Sequence, residues 1–285
     1  MAKEFKTIDE LIKILESRGV KTDAATEGAL ERESYYAIVN GYKTPYLDTE
    51  AMRSAADDVY LEDTRFEWIY DLFLFDRELR AVTFKYLARA EALMRSAVAY
   101  AFSESHPNMD DYLDRSSFCR PNDYLVPKAF KGNKVALYGR NLNDLMDRLN
   151  SKLNVTHNTR SFIKHYVRKH GGVPLWVLAN DLTFGNVIHF YQLMQERDRR
   201  RVCSIVAKCA KRQPKQGALT ERRLLRSTNV LNHYRNICAH DERLYCATYD
   251  GEGYGMMLVR MRDLLPQEES EEMLGEIVEL YDRYE

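Results

Sequence analysis

Between Thr64 and Phe102 the chain runs for thirty-nine residues without a proline or a glycine. No other feature constrains the fold as much, because those two residues are the usual interrupters of a helix. At about 100° per residue, Ile69, Leu72, Phe73, Leu87, Ala90, Met94, Val98 and Ala101 fall on one apolar stripe. The spacing predicts one amphipathic helix, about 57 Å long at ~1.5 Å per residue, with room for a kink. Thr64-Arg65-Phe66-Glu67 has the spacing of a capping box at its start. A helix of this length buries its stripe only against other helices, and the rest of the chain supplies them.

Thr7 to Glu10 forms another capping box, followed by Ile8, Leu11, Ile12 and Leu15 at helical spacing, with Gly19 as the stop. Further helices are predicted over 24–39, 139–153, 158–170, 186–195, 197–212, 218–240 and 269–284. Pro174 should open a short helix through Asn180. Residues 42–63 contain Pro45 and little periodicity, and read as a connection with at most a short helix. Met256 to Val259 is β-prone and is expected as a short strand. The predicted class is all-α: an N-terminal helical extension over 1–62 and a helical bundle over 63–285.

Composition excludes several function classes. At 45% hydrophobic and 30% charged residues the chain is globular rather than disordered. No apolar run approaches a membrane span, and the start lacks the apolar segment of a secretory signal, so a cytoplasmic protein is expected. The five cysteines include no C-x-x-C pair and are expected to be reduced. Phosphate-binding glycine loops and the G-x-S-x-G turn are absent. His165 and His170 have no accompanying ligand set, so neither metal nor cofactor is expected.

The net charge of −1 conceals two opposed blocks. Residues 197–226 hold eleven Lys/Arg against Asp198 and Glu221, a net of about +9; residues 267–285 hold eight acids against Arg283, about −7. Two solvated faces would account for this. A polyanion-binding surface would account for it too, with Arg199, Arg200 and Arg201 as phosphate contacts.

The densest chemistry lies at 229–245. On a helix, Leu224, Leu231, Tyr234 and Cys238 share an apolar face, while Asn229, Asn232, His233, Asn236 and His240 share the opposite one. Arg243 would join the polar face if the helix continued. Arg235 and His240, five residues apart, project about 140° away from each other on a straight helix. A bend at the helix end, the reach of the arginine, or a second copy of the helix across a two-fold axis would bring them together.

The run Arg235-Asn236-Ile237-Cys238-Ala239-His240 with Arg243 contains the Arg-x4-His motif of HEPN domains, and resembles bacterial abortive-infection proteins of the AbiD/AbiF type. Tyr35-Tyr36, Asn40-Gly41-Tyr42, Phe75 to Arg80, Glu91 with Arg95, Leu175-Trp176 and Phe184-Gly185 extend the resemblance over roughly 8–246. Cys246 stands where that pattern often has Asn.

The resemblance implies a HEPN fold, a homodimer, and RNA cleavage without metal in phage defence. It implies catalytic roles for Arg235, Asn236 and His240. An imidazole titrates near neutral pH and suits proton transfer; a guanidinium matches the non-bridging oxygens of a phosphorane. Asn236, one turn before His240, would orient it or hold a phosphate oxygen. Arg243 is a further candidate phosphate contact, and Arg80, Glu91 and Arg95 are candidates for the groove. Asp76 and Arg80, four apart beside the apolar stripe, also read as a structural ion pair. The alternatives are a non-catalytic RNA-binding module working with a small RNA, and a helical regulatory protein. A small-RNA or antitoxin partner would fit a growth-arresting enzyme.

Overall fold

The computed structural model describes residues 4–156 and 160–285, and the fold is all-α. The helices are α1 (Ile8–Ser17), α2 (Ala24–Glu33), α3 (Phe66–Ser105), α4 (Lys134–Leu153), α5 (Ser161–His170), α6 (Leu175–Leu178), α7 (Phe184–Leu193), α8 (Glu196–Cys209), α9 (Glu221–Ala239), α10 (Tyr254–Met261) and α11 (Gln267–Tyr284). Among the described residues none is long and apolar enough to cross a membrane. Residues 158 and 159, expected to start the fifth helix, lie outside the described residues; α5 ends as predicted at Gly171, whose φ of +75° suits a residue without Cβ.

The chain forms two compact units. The first takes the described residues up to Val82, with Arg243–Tyr245 and Glu276–Glu285; the second takes Thr83–Glu242 and Cys246–Gly275. The division therefore falls inside α3 rather than at residue 62.

In the first unit α1 packs on α2, and Leu15, Leu30, Ile38, Val39, Ile69 and Phe73 form the core. Each such side chain contributes about 1.5–3 kcal/mol on burial. The helix predicted over 24–39 breaks at Ser34, whose φ is +67°, and resumes as a π turn over Tyr36–Asn40. The Thr64 capping box does not form. The Thr64 carbonyl accepts from the Lys21 N–H at 2.8 Å, the Phe66 N–H donates to Lys21 O at 2.9 Å, and the Thr64 hydroxyl donates to Leu61 O at 2.7 Å. This bridge uses the groups a cap would need.

The long helix is one unbroken element of 40 residues. Within the second unit its stripe residues Leu87, Ala90, Met94, Val98 and Ala101 are buried. There α7, opened by a Thr183–Asn186 capping box and buried on nearly every side, packs against α4 and α9. Phe190 meets Phe102 and Phe118 edge-on, at 5.0 and 5.3 Å between centroids. The expected strand at 256–259 is instead part of α10. Met257 and Met261 are both buried while Met256 and Val259 are exposed, a spacing of four that favours helix over alternation. The strands present are the two-residue pair Thr248–Tyr249 and Glu252–Gly253.

Candidate functional site

Helix α9 carries the central candidates. Its first turn is capped by the Thr220 side chain, which accepts from Arg223 N at 3.3 Å. Its buried face holds Leu224, Leu231, Tyr234 and Ile237. Near its end the Tyr234 hydroxyl donates to Ala247 O at 2.8 Å. The helix stays regular to Ala239, with His240 as C-cap. Asp241 then takes φ +54°, and the Glu242 N–H donates to Ile237 O at 3.1 Å. This 6→1 bond is that of a Schellman turn, which ends the helix with His240 and Asn236 both exposed. The helix therefore does not continue to Arg243, as the alignment of polar residues would have required.

Arg235 leaves the opposite side of α9. Its Nε donates to Glu91 Oε2 at 3.1 Å, and its guanidinium carbon lies 5.8 Å from the centre of the Phe84 ring. The other oxygen of Glu91 accepts from Arg95 Nη2 at 2.5 Å. Glu91 is buried, and one carboxylate thus braces two arginines. Among the described residues no group takes the two Nη nitrogens of Arg235, whose side chain is 27% exposed. The paired donors that would face a phosphate remain open. Arg95 Nε is buried without a partner among the described residues. It lines a groove with Tyr100 and Trp176, both more than half exposed, of the sort on which bases stack.

The other candidates divide. Arg80 is buried: its Nη1 donates to Asp76 Oδ2 at 2.6 Å and to the Tyr42 hydroxyl at 3.0 Å. Asp76 also accepts from Tyr42 at 2.7 Å and from the backbone N–H groups of Leu244 and Tyr245 at 3.0 and 2.7 Å. Burial and the neighbouring Asp76 charge push the Tyr42 phenol well above its ordinary pKa. Arg80 is therefore structural, correcting its candidacy as a phosphate contact. Arg243 is exposed in the same unit, with Nη1 donating to Gly41 O at 3.1 Å.

Arg199 is a second correction. It is 4% exposed, and its guanidinium is taken by Glu221 at 2.7 Å, Asp123 O at 3.1 Å and Met194 O. Arg200 is exposed and pairs with Glu196 and with Glu221 at 3.5 Å. Arg201 forks onto Glu104 at 2.7 and 3.0 Å, and its hydrogen bond holds the Glu104 carboxyl below the usual carboxylate range. Exposed pairs of this kind are worth at most about 1 kcal/mol and yield readily to a competing phosphate. The acidic helix α11 meets the basic block through Glu268 and Lys211 at 3.1 Å; Glu269 and Glu272 pair instead with Arg89 and Lys85 of α3.

Two buried carboxylates that gave no sequence signal organise the basic block. Asp263 accepts from Arg212 at 2.8 Å, Arg223 at 2.9 Å and Ser227 at 2.7 Å. Glu252 accepts from Arg260 at 2.7 and 2.9 Å and pairs with Arg226. Cys203 is buried and its thiol is pushed up to about 11, chiefly by that burial, which suits a core residue rather than a nucleophile.

Comparison with known proteins gives one match. A family model described as Abi-like protein covers residues 28–246. No curated protein and no solved structure matches the chain.

Proposed function

The chain belongs to the Abi-like protein family, a family whose name points to abortive infection, and on that premise we propose that it is a HEPN-type endoribonuclease of phage defence. The observation that carries this reading is the Arg95–Glu91–Arg235 clamp. It fixes one arginine through Nε and leaves its two Nη donors open, on the helix that ends at an exposed His240.

The chemistry follows from these groups. The ribose 2′-oxygen attacks the adjacent phosphorus and its proton passes to a base. The 5′-oxygen leaves with a proton, and the products carry a 2′,3′-cyclic phosphate and a 5′-hydroxyl. His240 serves the proton transfers. Arg235 stabilises the charge that builds on the non-bridging oxygens, with Glu91 and Arg95 positioning it. Asn236, exposed one turn before His240, orients the imidazole or the phosphate. No step needs a metal ion. Because Arg235 and His240 diverge along a regular α9, the complete site is assigned to a homodimer, Arg235 of one copy meeting His240 of the other.

Purified protein incubated with single-stranded RNA and EDTA should leave cyclic phosphate ends. Rates should fall by about 10²–10⁴-fold in His240→Ala and Arg235→Ala with unchanged melting temperature. Equal cutting by both variants would refute the site. Mixing the two variants should restore activity through hybrid dimers; no recovery would place both groups in one chain. Tight, salt-sensitive RNA binding without cleavage would favour a binding module instead.

A further inference from the structure

The outward face of α9 has a pattern that the cleavage site alone does not require. Arg222, Arg226, Asn229, His233, Asn236 and His240 recur at steps of four and three, within about 40° of one line along the helix. All six are exposed or half-buried, and every one is a hydrogen-bonding side chain. The row is about 27 Å long at ~1.5 Å per residue. Tyr249 stacks on His233 with centroids 4.8 Å apart, placing an aromatic surface midway.

The end of the row far from His240 opens into a groove of about 690 Å³, lined by Lys128, Arg222, Arg226, Tyr249 and Arg260 among others. Its charge is unbalanced from within. Four arginines (212, 223, 226 and 260) share two buried carboxylates, Asp263 and Glu252, each holding a pair. Two anions cannot neutralise four guanidiniums. Lys128 and Arg222 add two cations that have no partner among the described residues, against Asp250 on the groove wall. The excess is about +3, and a row of buried carboxylates fixes its geometry. Such a site calls for an external anion with several charges.

We infer that this groove and the polar row of α9 form a track for the backbone of single-stranded RNA, which enters beside Lys128 and Arg222 and runs along the helix to His240. The inference rests on the RNA reading above and adds the path, the strandedness and the residues that bind away from the reacting phosphate. A single strand fits because its bases can turn out onto Tyr249 and His233, whereas a duplex keeps them paired. Of the net +9 in residues 197–226, the track uses the part that internal ion pairs leave over.

The test measures fluorescence anisotropy of a labelled single-stranded 2′-O-methyl oligonucleotide, which cannot be cut by 2′-hydroxyl attack, on the full-length protein. Lys128→Glu/Arg222→Glu should weaken binding at least about tenfold and flatten the salt slope by about two, one for each lost phosphate contact. Both residues are exposed, so the variant should keep the wild-type melting temperature. Lys164→Glu/Arg168→Glu on α5 makes the same change of charge elsewhere and should bind as wild type. Wild-type binding that the Lys128/Arg222 pair leaves unchanged would overturn the track while sparing the nuclease reading. Equal weakening by both pairs, or stronger binding of a duplex, would also overturn it. A wild-type protein that binds no RNA would remove both.

Discussion

Helix α3 carries two carboxylate–arginine pairs with the same spacing and opposite character. Asp76–Arg80 is closed. The carboxylate is fully buried and meets Tyr42, Arg80 and two backbone N–H groups, so its acceptor capacity is used within the first unit. Glu91–Arg95 is open. Its carboxylate takes two arginines, one of which keeps its Nη groups unpaired at 27% exposure. The i,i+4 spacing cannot separate the two cases. What separates them is whether all of the donors and acceptors find partners inside the protein.

The largest expected effect tests the closed pair. Asp76→Ala strands Arg80 and the N–H groups of Leu244 and Tyr245, and should cost about 3–5 kcal/mol in urea unfolding. A loss below about 1 kcal/mol would show that the knot is not what holds Tyr42 and Leu244 in place. The next tests the open pair. Glu91→Gln should lower kcat about ten- to a hundredfold by letting Arg235 move, with a small change in melting temperature and little change in KM. If it instead unfolds like the Asp76 variant, with full activity per folded molecule, the two pairs are of one kind. Smallest is a pH effect at Glu252. The Arg260 hydrogen bond holds this carboxyl below its ordinary value of 4.5. Its stabilising contribution is therefore complete above about pH 4.5 and is lost as pH falls through the lowered folded value. The urea midpoint should drop less between about pH 5 and pH 3 in Glu252→Gln than in wild type. An equal drop would remove Glu252 from the groove's support.

Much of the helical framework was legible because it is local. The Thr7 capping box, the Gly171 stop and the unbroken run of α3 depend on residues within a turn or two of one another. The failures share a cause. Thr64 loses its cap to a bridge with Lys21, and the Met256–Val259 strand becomes helix because Met257 and Met261 find a buried face. In both, a distant contact overrode a local preference. The motif residues on α9 were legible as a group. The Arg80 and Arg199 assignments were not, since charge in a sequence carries no record of burial.

The sequence by itself determined an all-α chain, a long central helix, two opposed charge blocks and a polar face on the helix of Arg235 and His240. Only the tertiary structure decided which charges are available. Arg80 is quenched by Asp76, Arg199 by Glu221, and the arginine pairs of the groove are held by Asp263 and Glu252, while Lys128 and Arg222 stay unpaired. Helix formation is governed by neighbours along the chain. Ion pairing is governed by desolvation and by partners between four and forty residues or more away, which only the folded chain brings together.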